Sequence, residues 1–385
     1  FIIFIGLAAL VMGMLNTYRR FAVPAFAPVM LNLAMIAAAL WLAPRLGQAP
    51  VHQVYALAWG VLLGGLLQLV VQVPELYRLG FRLQLAWRHP ALRRMFMLML
   101  PGMVGLMMAE VGLMVDTMLA WNMGAGAVSS LYWGNRLMQL PLGVFGVAIA
   151  TAMLPTLSGH QANQRMQEFK RTLGEGVRLM LAIQVPAMIG LMVLARPIIR
   201  VLLEGGRFTP ADSANAALAT VCFTCGLCSF AGVKIFAQAF YAMHDTRTPV
   251  KMAITALMLN IALNLLLMVP LSFAGLALAT ALAATFNCLS LIILLRRRIG
   301  SLGGARIIAA LARIIVAAAG MGVLLAGLVW WRDPAAMPSL PAAAMYLLAY
   351  LLAGSGAYFG LGLLLRIREV REVAMLVRQK VAPRA

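Results

Sequence analysis

Long, nearly uncharged apolar runs constrain this chain more than any other feature. Eleven of them fill roughly 1–16, 25–43, 54–73, 96–121, 127–157, 177–195, 214–240, 250–269, 273–295, 307–331 and 342–365. A helix needs about 20 apolar residues to cross the hydrocarbon core of a bilayer, so each run reads as a membrane span, and the longest imply tilt or helix beyond the bilayer. A transmembrane barrel strand would alternate polar and apolar residues over roughly ten positions, and no such patterning occurs. Hydrophobic residues make up 63% of the chain and charged ones 11%, with mean hydropathy +0.92, whereas soluble domains are nearer half apolar and a quarter charged. The expected fold class is therefore an all-α polytopic membrane protein, and a soluble enzyme is excluded.

Charge then sets the expected orientation. Lys and Arg number 31 against 11 Asp and Glu, a net charge of +20. In a soluble chain that balance would suggest nucleic acid. Here the basic residues sit in short loops without aromatic interleaving, so no nucleic-acid partner is expected and anionic membrane lipids are. Placing the turn after the first run in the cytoplasm assigns 24 basic residues to that side and 5 to the other (Arg45, Arg196, Arg200, Arg207 and Arg332). Positive charge is retained on the cytoplasmic side, which puts the C-terminus in the cytoplasm. Phe1 opens inside an apolar run with no initiating Met, basic n-region or cleavage site, so the run is not read as a signal peptide, and the beginning of the protein is expected to be missing.

Met30-Leu31-Asn32-Leu33-Ala34 recurs as Met258-Leu259-Asn260-Ile261-Ala262, each copy following a basic turn and a proline. The copies lie six spans apart on the same side, as in a parallel two-lobe repeat. The expected division is 1–74 as the remainder of an N-terminal lobe, 75–95 as a basic cytoplasmic amphipathic linker, and 96–298 as a six-helix lobe. Residues 299–366 form two extra helices and 367–385 a basic cytoplasmic tail.

Ionisable groups within spans are costly and usually face a partner or a cavity. Glu110, Asp116, Arg136 and Lys234 are such groups. Arg136 reads either as half of an ion pair with Asp116 or Glu110, or as the planar donor fork of a phosphate site. Lys234 either snorkels to the cytoplasmic edge or joins that site. Asn260 and Asn264 share one helix face and Thr280 lies on the next span. With Asp116 they offer either interhelical hydrogen bonds or the hard oxygen set of an alkali or alkaline-earth cation.

Other motifs read as structural. Cys222, Cys225 and Cys228 have iron–sulfur spacing, but they lie in a continuous apolar helix and act as small hydrophobes. Thr209, Pro210 and Asp212 form an N-cap, a first-turn proline and a capping box. Gly356 and Gly360 have the spacing that permits close helix approach. HExxH, Walker and nucleophile-elbow motifs are absent from the sequence, so no enzyme is expected.

Four segments together resemble the MurJ (MviN) family of lipid II flippases, within the multidrug/oligosaccharidyl-lipid/polysaccharide exporter superfamily. They are LNTYRRFAVPAFAPVMLNLAMI from Leu15, YWGNRLMQLPLGVFGVAIATAMLPTLS from Tyr132, GGRFTPADSANAALA from Gly205 and VKIFAQAFYAMHDTRTPVKMA from Val233. The resemblance implies a two-lobe transporter bundle of fourteen helices, of which these eleven are the fourth to fourteenth, in the bacterial inner membrane. It places Arg136 on a cavity arginine that engages the pyrophosphate of lipid II. Asn135 and Gln139 flank it where some members carry acids. It also implies a Na+ site at Asp116, Asn260, Asn264, Thr280 and the carbonyl of Leu276, with Asn264 standing where such a site has a second acid.

Three functions follow as readings. The first is a lipid II flippase working by alternating access, with Arg136 and Lys234 neutralising the pyrophosphate. The second is a cation-coupled drug or polysaccharide-lipid exporter, which for cationic drugs would want an acidic cavity. The third is a membrane glycosyl- or acyltransferase, for which the sequence offers no reactive carboxylate or histidine pair.

Overall fold

The computed structural model describes residues 1–385 except 19, 21, 48, 49, 82–102, 104–106, 109, 125, 302, 338 and 373–385. Most of the expected 75–95 linker, the start of the 96–121 run and the tail from 373 therefore lie outside the described residues. The chain forms two compact units, Phe1–Arg93 and Arg94–Ala385.

In the first unit, α1 (Ile2–Thr17) and α2 (Ala22–Ala37) each pack on α3 (Pro50–Arg78). Small residues set the α2–α3 distance: a Cβ on Gly60 would lie 2.6 Å from that of Ala38, and one on Gly64 2.9 Å from the Cα of Leu31. Helices in lipid gain little from apolar burial between them and associate through such close backbone approach. Beyond Ala37, α2 widens into a π-helical turn, Ala38–Leu42, and ends in a 3₁₀ turn, Ala43–Arg45. Pro44 has no N–H to return to the preceding turn, so regular α-helical bonding cannot continue through it. At the opposite end Glu75 bridges Arg20 at 3.6 Å and Arg78 at 3.4 Å. The asparagines of the five-residue repeat differ in setting, Asn32 being exposed and Asn260 buried.

In the second unit α4 is described without a gap over 110–121. Helix α5 (Ala127–Pro141), a π segment (Leu142–Val147) and α6 (Ala148–Ala162) follow without interruption. Helix α7 (Met166–Leu203) packs against α6, α8 (Pro210–Thr224), α9 (Leu227–Ala242) and α11 (Gly304–Trp331). One core gathers Phe169, Leu173, Leu227, Ile235, Phe240, Leu276 and Leu295. A second joins α7 to α11 and α12 (Leu340–Leu364) through Leu194, Ile314, Met321, Tyr350 and Tyr358. The capping box at Thr209 and Asp212 starts α8 as its sequence indicates. Gly356 and Gly360 meet nothing within 4 Å; the close approaches on α12 are instead Gly354 to Leu325 and Gly362 to Val370.

The longest helix, α10 (Arg247–Ile299), has 53 residues. Straight, it would extend about 80 Å, far beyond a hydrocarbon core of about 30 Å. It is instead a hairpin. Ser272 has φ 52° and ψ −137°, just after Pro270. Asn260 bonds Thr280, and a Cβ on Gly275 would sit 2.2 Å from the carbonyl oxygen of Leu267. Paired positions sum to nearly the same number, which is the register of antiparallel arms. Gly275→Ala is expected to destabilise the protein by about 2 kcal/mol through overpacking against backbone, read as a lower melting temperature in detergent. Gly356→Ala is the control, because its site is open.

Among the described residues seven helices are long and apolar enough to span a membrane, or eight if the α8–α9 pair, bent by 43°, is one span. The sequence suggests eleven. The difference arises because α1 has only 16 residues, α4 is described in part, and the two arms of the α10 hairpin are counted as one helix.

At the α9–α10 turn, Asp245 accepts hydrogen bonds from the Thr248 amide and hydroxyl and pairs with Arg298. Burial pushes its carboxyl up, but the Thr248 hydrogen bonds and Arg298 together outweigh it and hold Asp245 below the usual carboxylate range. A depressed folded pKa contributes stability above the unfolded value of about 3.9, lost as pH falls further through the folded value. Asp245→Asn is therefore expected to flatten the decline in melting temperature below about pH 4; an unchanged acid limb would assign that decline to other carboxylates.

Candidate functional site

The sequence-derived cation ligands meet at one place, where α4 packs against the α10 hairpin. Asn260 and Asn264 lie one turn apart on the first arm, and Leu276 and Thr280 one turn apart on the second. Asn264 Nδ2 donates to Asp116 Oδ1 at 2.6 Å and lies 3.3 Å from Asn260 Oδ1. Thr280 Oγ1 lies 3.1 Å from Asp116 Oδ2 and 2.9 Å from the Leu276 carbonyl, with one proton to serve both. Asn260 Nδ2 donates to Thr280 Oγ1 at 3.2 Å. Asp116, Asn260 and Asn264 are buried.

Two features of this cluster stand out chemically. Among the described residues no Lys or Arg lies within salt-bridge distance of Asp116, so neutral donors alone compensate it. Asn264 Oδ1 is buried with no hydrogen-bond donor, and an orphaned buried acceptor carries a cost of about 1–3 kcal/mol. A hard cation would answer both. The Asp116 carboxylate, the amide oxygens of Asn260 and Asn264, the Thr280 hydroxyl and the Leu276 carbonyl offer oxygen only, the ligand chemistry of alkali and alkaline-earth ions. The donor set thus fits a Na+ ion.

Arg136 stands elsewhere on the unit, on an exposed face of α5. Its neighbour Asn135 accepts a 2.7 Å hydrogen bond from Gln139, one turn on. The ion pair that the sequence left open is not formed: Asp116 is engaged by Asn264 and Thr280, and among the described residues Arg136 has no carboxylate within 4.0 Å. Glu110 is exposed and lines a groove on α4 with Met114, Met118 and Trp121. Lys234 is exposed on α9, which packs on the π segment that continues α5.

Sequence reasoning missed one positioning contact. Gln184, fully buried on α7, donates to the Pro141 carbonyl at 3.1 Å where α5 passes into the π segment. The bond pins α5 just beyond Arg136. Its signal was a lone Gln in LAIQVPAM, a polar side chain that an apolar run must satisfy. Also missed was the clamp of Arg200 on the Pro334 and Met337 carbonyls, which ties the end of α7 to the α11–α12 connection. Cys222, Cys225, Cys228 and Cys288 are free thiols.

These features define a polytopic α-helical membrane protein with one carboxylate, ringed by amide and hydroxyl groups, buried between its spans and an exposed guanidinium within one. The family model for lipid II flippase MurJ matches residues 1–336, and the chain belongs to that family. It is 40% identical to the Haemophilus influenzae protein named "Probable lipid II flippase MurJ" over 292 residues, covering 74% of this chain and 56% of that protein. It is 36% identical to the lipid II flippase MurJ of Burkholderia cenocepacia over 337 residues, covering 86% of this chain and 64% of that one. The chain thus spans little more than half to just under two thirds of these relatives' length. A solved structure of a lipid II flippase MurJ in an inward closed conformation superposes with TM-score 0.75 at 22% identity, over 94% of this chain and 72% of that one, and shares its fold.

Proposed function

We propose that this chain works within a lipid II flippase of the bacterial inner membrane, moving the undecaprenyl-pyrophosphate-linked peptidoglycan precursor from the inner to the outer leaflet by alternating access. Family membership supplies the substrate class, and the observation that carries the reading is Arg136, a guanidinium within a span that no carboxylate neutralises among the described residues. An arginine so placed calls for an anion from outside the fold, and a pyrophosphate matches its donor fork. Lys234, Asn135 and Gln139 would complete the headgroup contacts, and the prenyl tail would stay in the bilayer.

The arrangement proposed is a two-lobe bundle, with residues 1–74 in the N-terminal lobe, 75–95 as linker, 96–298 as the second lobe, 299–366 as two further helices and the basic tail in the cytoplasm. Contacts between distant residues support the alternation of ends. Arg178 pairs with Glu369 at 3.3 Å, Asp245 with Arg298, and Arg200 with the 334–337 connection. Each joins residues that the charge pattern puts on one side of the membrane.

We also propose that Asp116, Asn260, Asn264, Leu276 and Thr280 hold a Na+ ion whose gradient biases the transport cycle. When bound, the ion supplies the charge that compensates Asp116. Without it, the two asparagines and Thr280 hold the α10 arms to α4.

The test is outer-face exposure of lipid II in cells depleted of their own flippase, with this chain joined to the segments of a relative that it does not span. Restored exposure is the expected result. No exposure despite correct insertion would refute the substrate assignment and favour an exporter, which a drug-susceptibility panel would then reveal.

A further inference from the structure

A second site lies wholly within the first unit, at the end of α2 and α3 away from Glu75. A groove of about 580 Å³ opens there, within the range of about 300–1,000 Å³ typical of ligand pockets. Small residues, Ala34, Ala37, Ala38 and Gly60, line it where Gly60 of α3 meets Ala38 closely. Trp41 and Trp59, one from each helix, line it and are exposed, at 69% and 62%. Arg45 lines it too and is exposed. The π turn at Ala38–Leu42 contains Trp41 and alters the helix register before Arg45, and local π geometry recurs at functional sites.

We propose that this groove binds an anionic phospholipid of the phosphatidylglycerol class, one acyl chain lying between Trp41 and Trp59 and its phosphodiester on Arg45. Charge and shape carry the choice of occupant. Arg45 is exposed and, among the described residues, within salt-bridge distance of no carboxylate. No lining residue is acidic, so nothing receives the ammonium of a zwitterionic headgroup. A single guanidinium matches the one negative charge of a phosphodiester, whereas a prenyl pyrophosphate would leave charge uncompensated. Tryptophans are enriched at the membrane–water interface, where amphipathic rings sit at headgroup depth. The lining chemistry therefore suits an alkyl chain entering below a phosphate.

The inference requires only that the chain is membrane-embedded and is independent of transport. Its test is native mass spectrometry of the purified full chain titrated separately with phosphatidylglycerol, phosphatidylethanolamine and undecaprenyl phosphate. Phosphatidylglycerol should be retained about fivefold better than phosphatidylethanolamine, as one cationic contact to an anionic lipid predicts. Arg45→Ala should remove that preference, and Ala37→Phe, which fills the groove, should lower retention of both phospholipids. Arg207→Ala, at another exposed arginine, should change neither. Because Arg45 is exposed, its variant tests the proposal even if Ala37→Phe fails to fold. Equal retention of the two phospholipids, an unchanged Arg45→Ala variant, an equal loss in Arg207→Ala, or undecaprenyl phosphate outcompeting phosphatidylglycerol at Arg45 would each overturn it.

Discussion

Arg136→Ala is expected to abolish outward movement of lipid II while leaving the protein inserted and folded. Arg136 is exposed on α5 and, among the described residues, pairs with no acid, so truncation orphans no buried partner and opens no cavity. The melting temperature in detergent should therefore hold. A hydrogen bond to a charged group contributes about 1.5–3 kcal/mol, so losing even one to the pyrophosphate costs at least about tenfold in substrate engagement. Losing both prongs of the fork should take transport to background. Arg136→Lys should retain part of the activity, since an ammonium supplies charge without the planar fork. Wild-type lipid II exposure in Arg136→Ala would refute the phosphate role. A large fall in stability instead would mean that the guanidinium serves the fold.

Much of this architecture was legible in the sequence because the bilayer leaves few options. A run of about 20 apolar residues with its backbone satisfied internally is a helix, and the boundaries of α3, α11 and α12 fall near those that the runs suggest, whereas α7 extends well beyond its run at both ends. The Thr209 capping box was equally readable, since its bonds are local. Contacts distant in sequence were harder. Asn260 and Asn264 announce a shared helix face, but only the reversal at Ser272 brings Leu276 and Thr280 beside them. Nothing in local spacing fixes which carboxylate Arg136 would meet, because that depends on how α4 and α5 rotate about their axes. The structure turns Asp116 toward α10 and leaves Arg136 exposed. Gly356 and Gly360 fit a packing pattern yet face open space, since spacing identifies a face without saying what that face meets. The α2–α3 groove was hidden for a related reason: its lining comes from two helices and is visible only once they are laid together.

Asp116 carries the other large expected effect, and two variants separate its roles. Asp116→Leu removes the short acceptor of the Asn264 amide, which keeps only its longer bond to Asn260, while the Thr280 hydroxyl keeps the Leu276 carbonyl, and at about 1–3 kcal/mol for an unsatisfied buried group a loss of about 2 kcal/mol is expected, with or without Na+. Asp116→Asn keeps an oxygen and a similar shape but removes the charge, so it should cost less in choline chloride. What it should lose is the response to Na+. A ligand that binds only the folded state stabilises it by about 2.7 kcal/mol at a hundred times its dissociation constant, so the intact protein should melt higher in NaCl than in choline chloride at equal ionic strength. Asp116→Asn should melt alike in both. Asn264→Asp is the opposing experiment: it replaces the amide whose oxygen lacks a donor with a second carboxylate. A second negative ligand should strengthen Na+ binding by about tenfold, since one paired charge is commonly worth about 1–2 kcal/mol in a partly buried setting, and should lower stability when Na+ is withheld because the two acids repel. If the intact protein melts identically in the two salts and Asn264→Asp gains no Na+ response, the cluster is interhelical glue and the transport cycle draws its energy elsewhere.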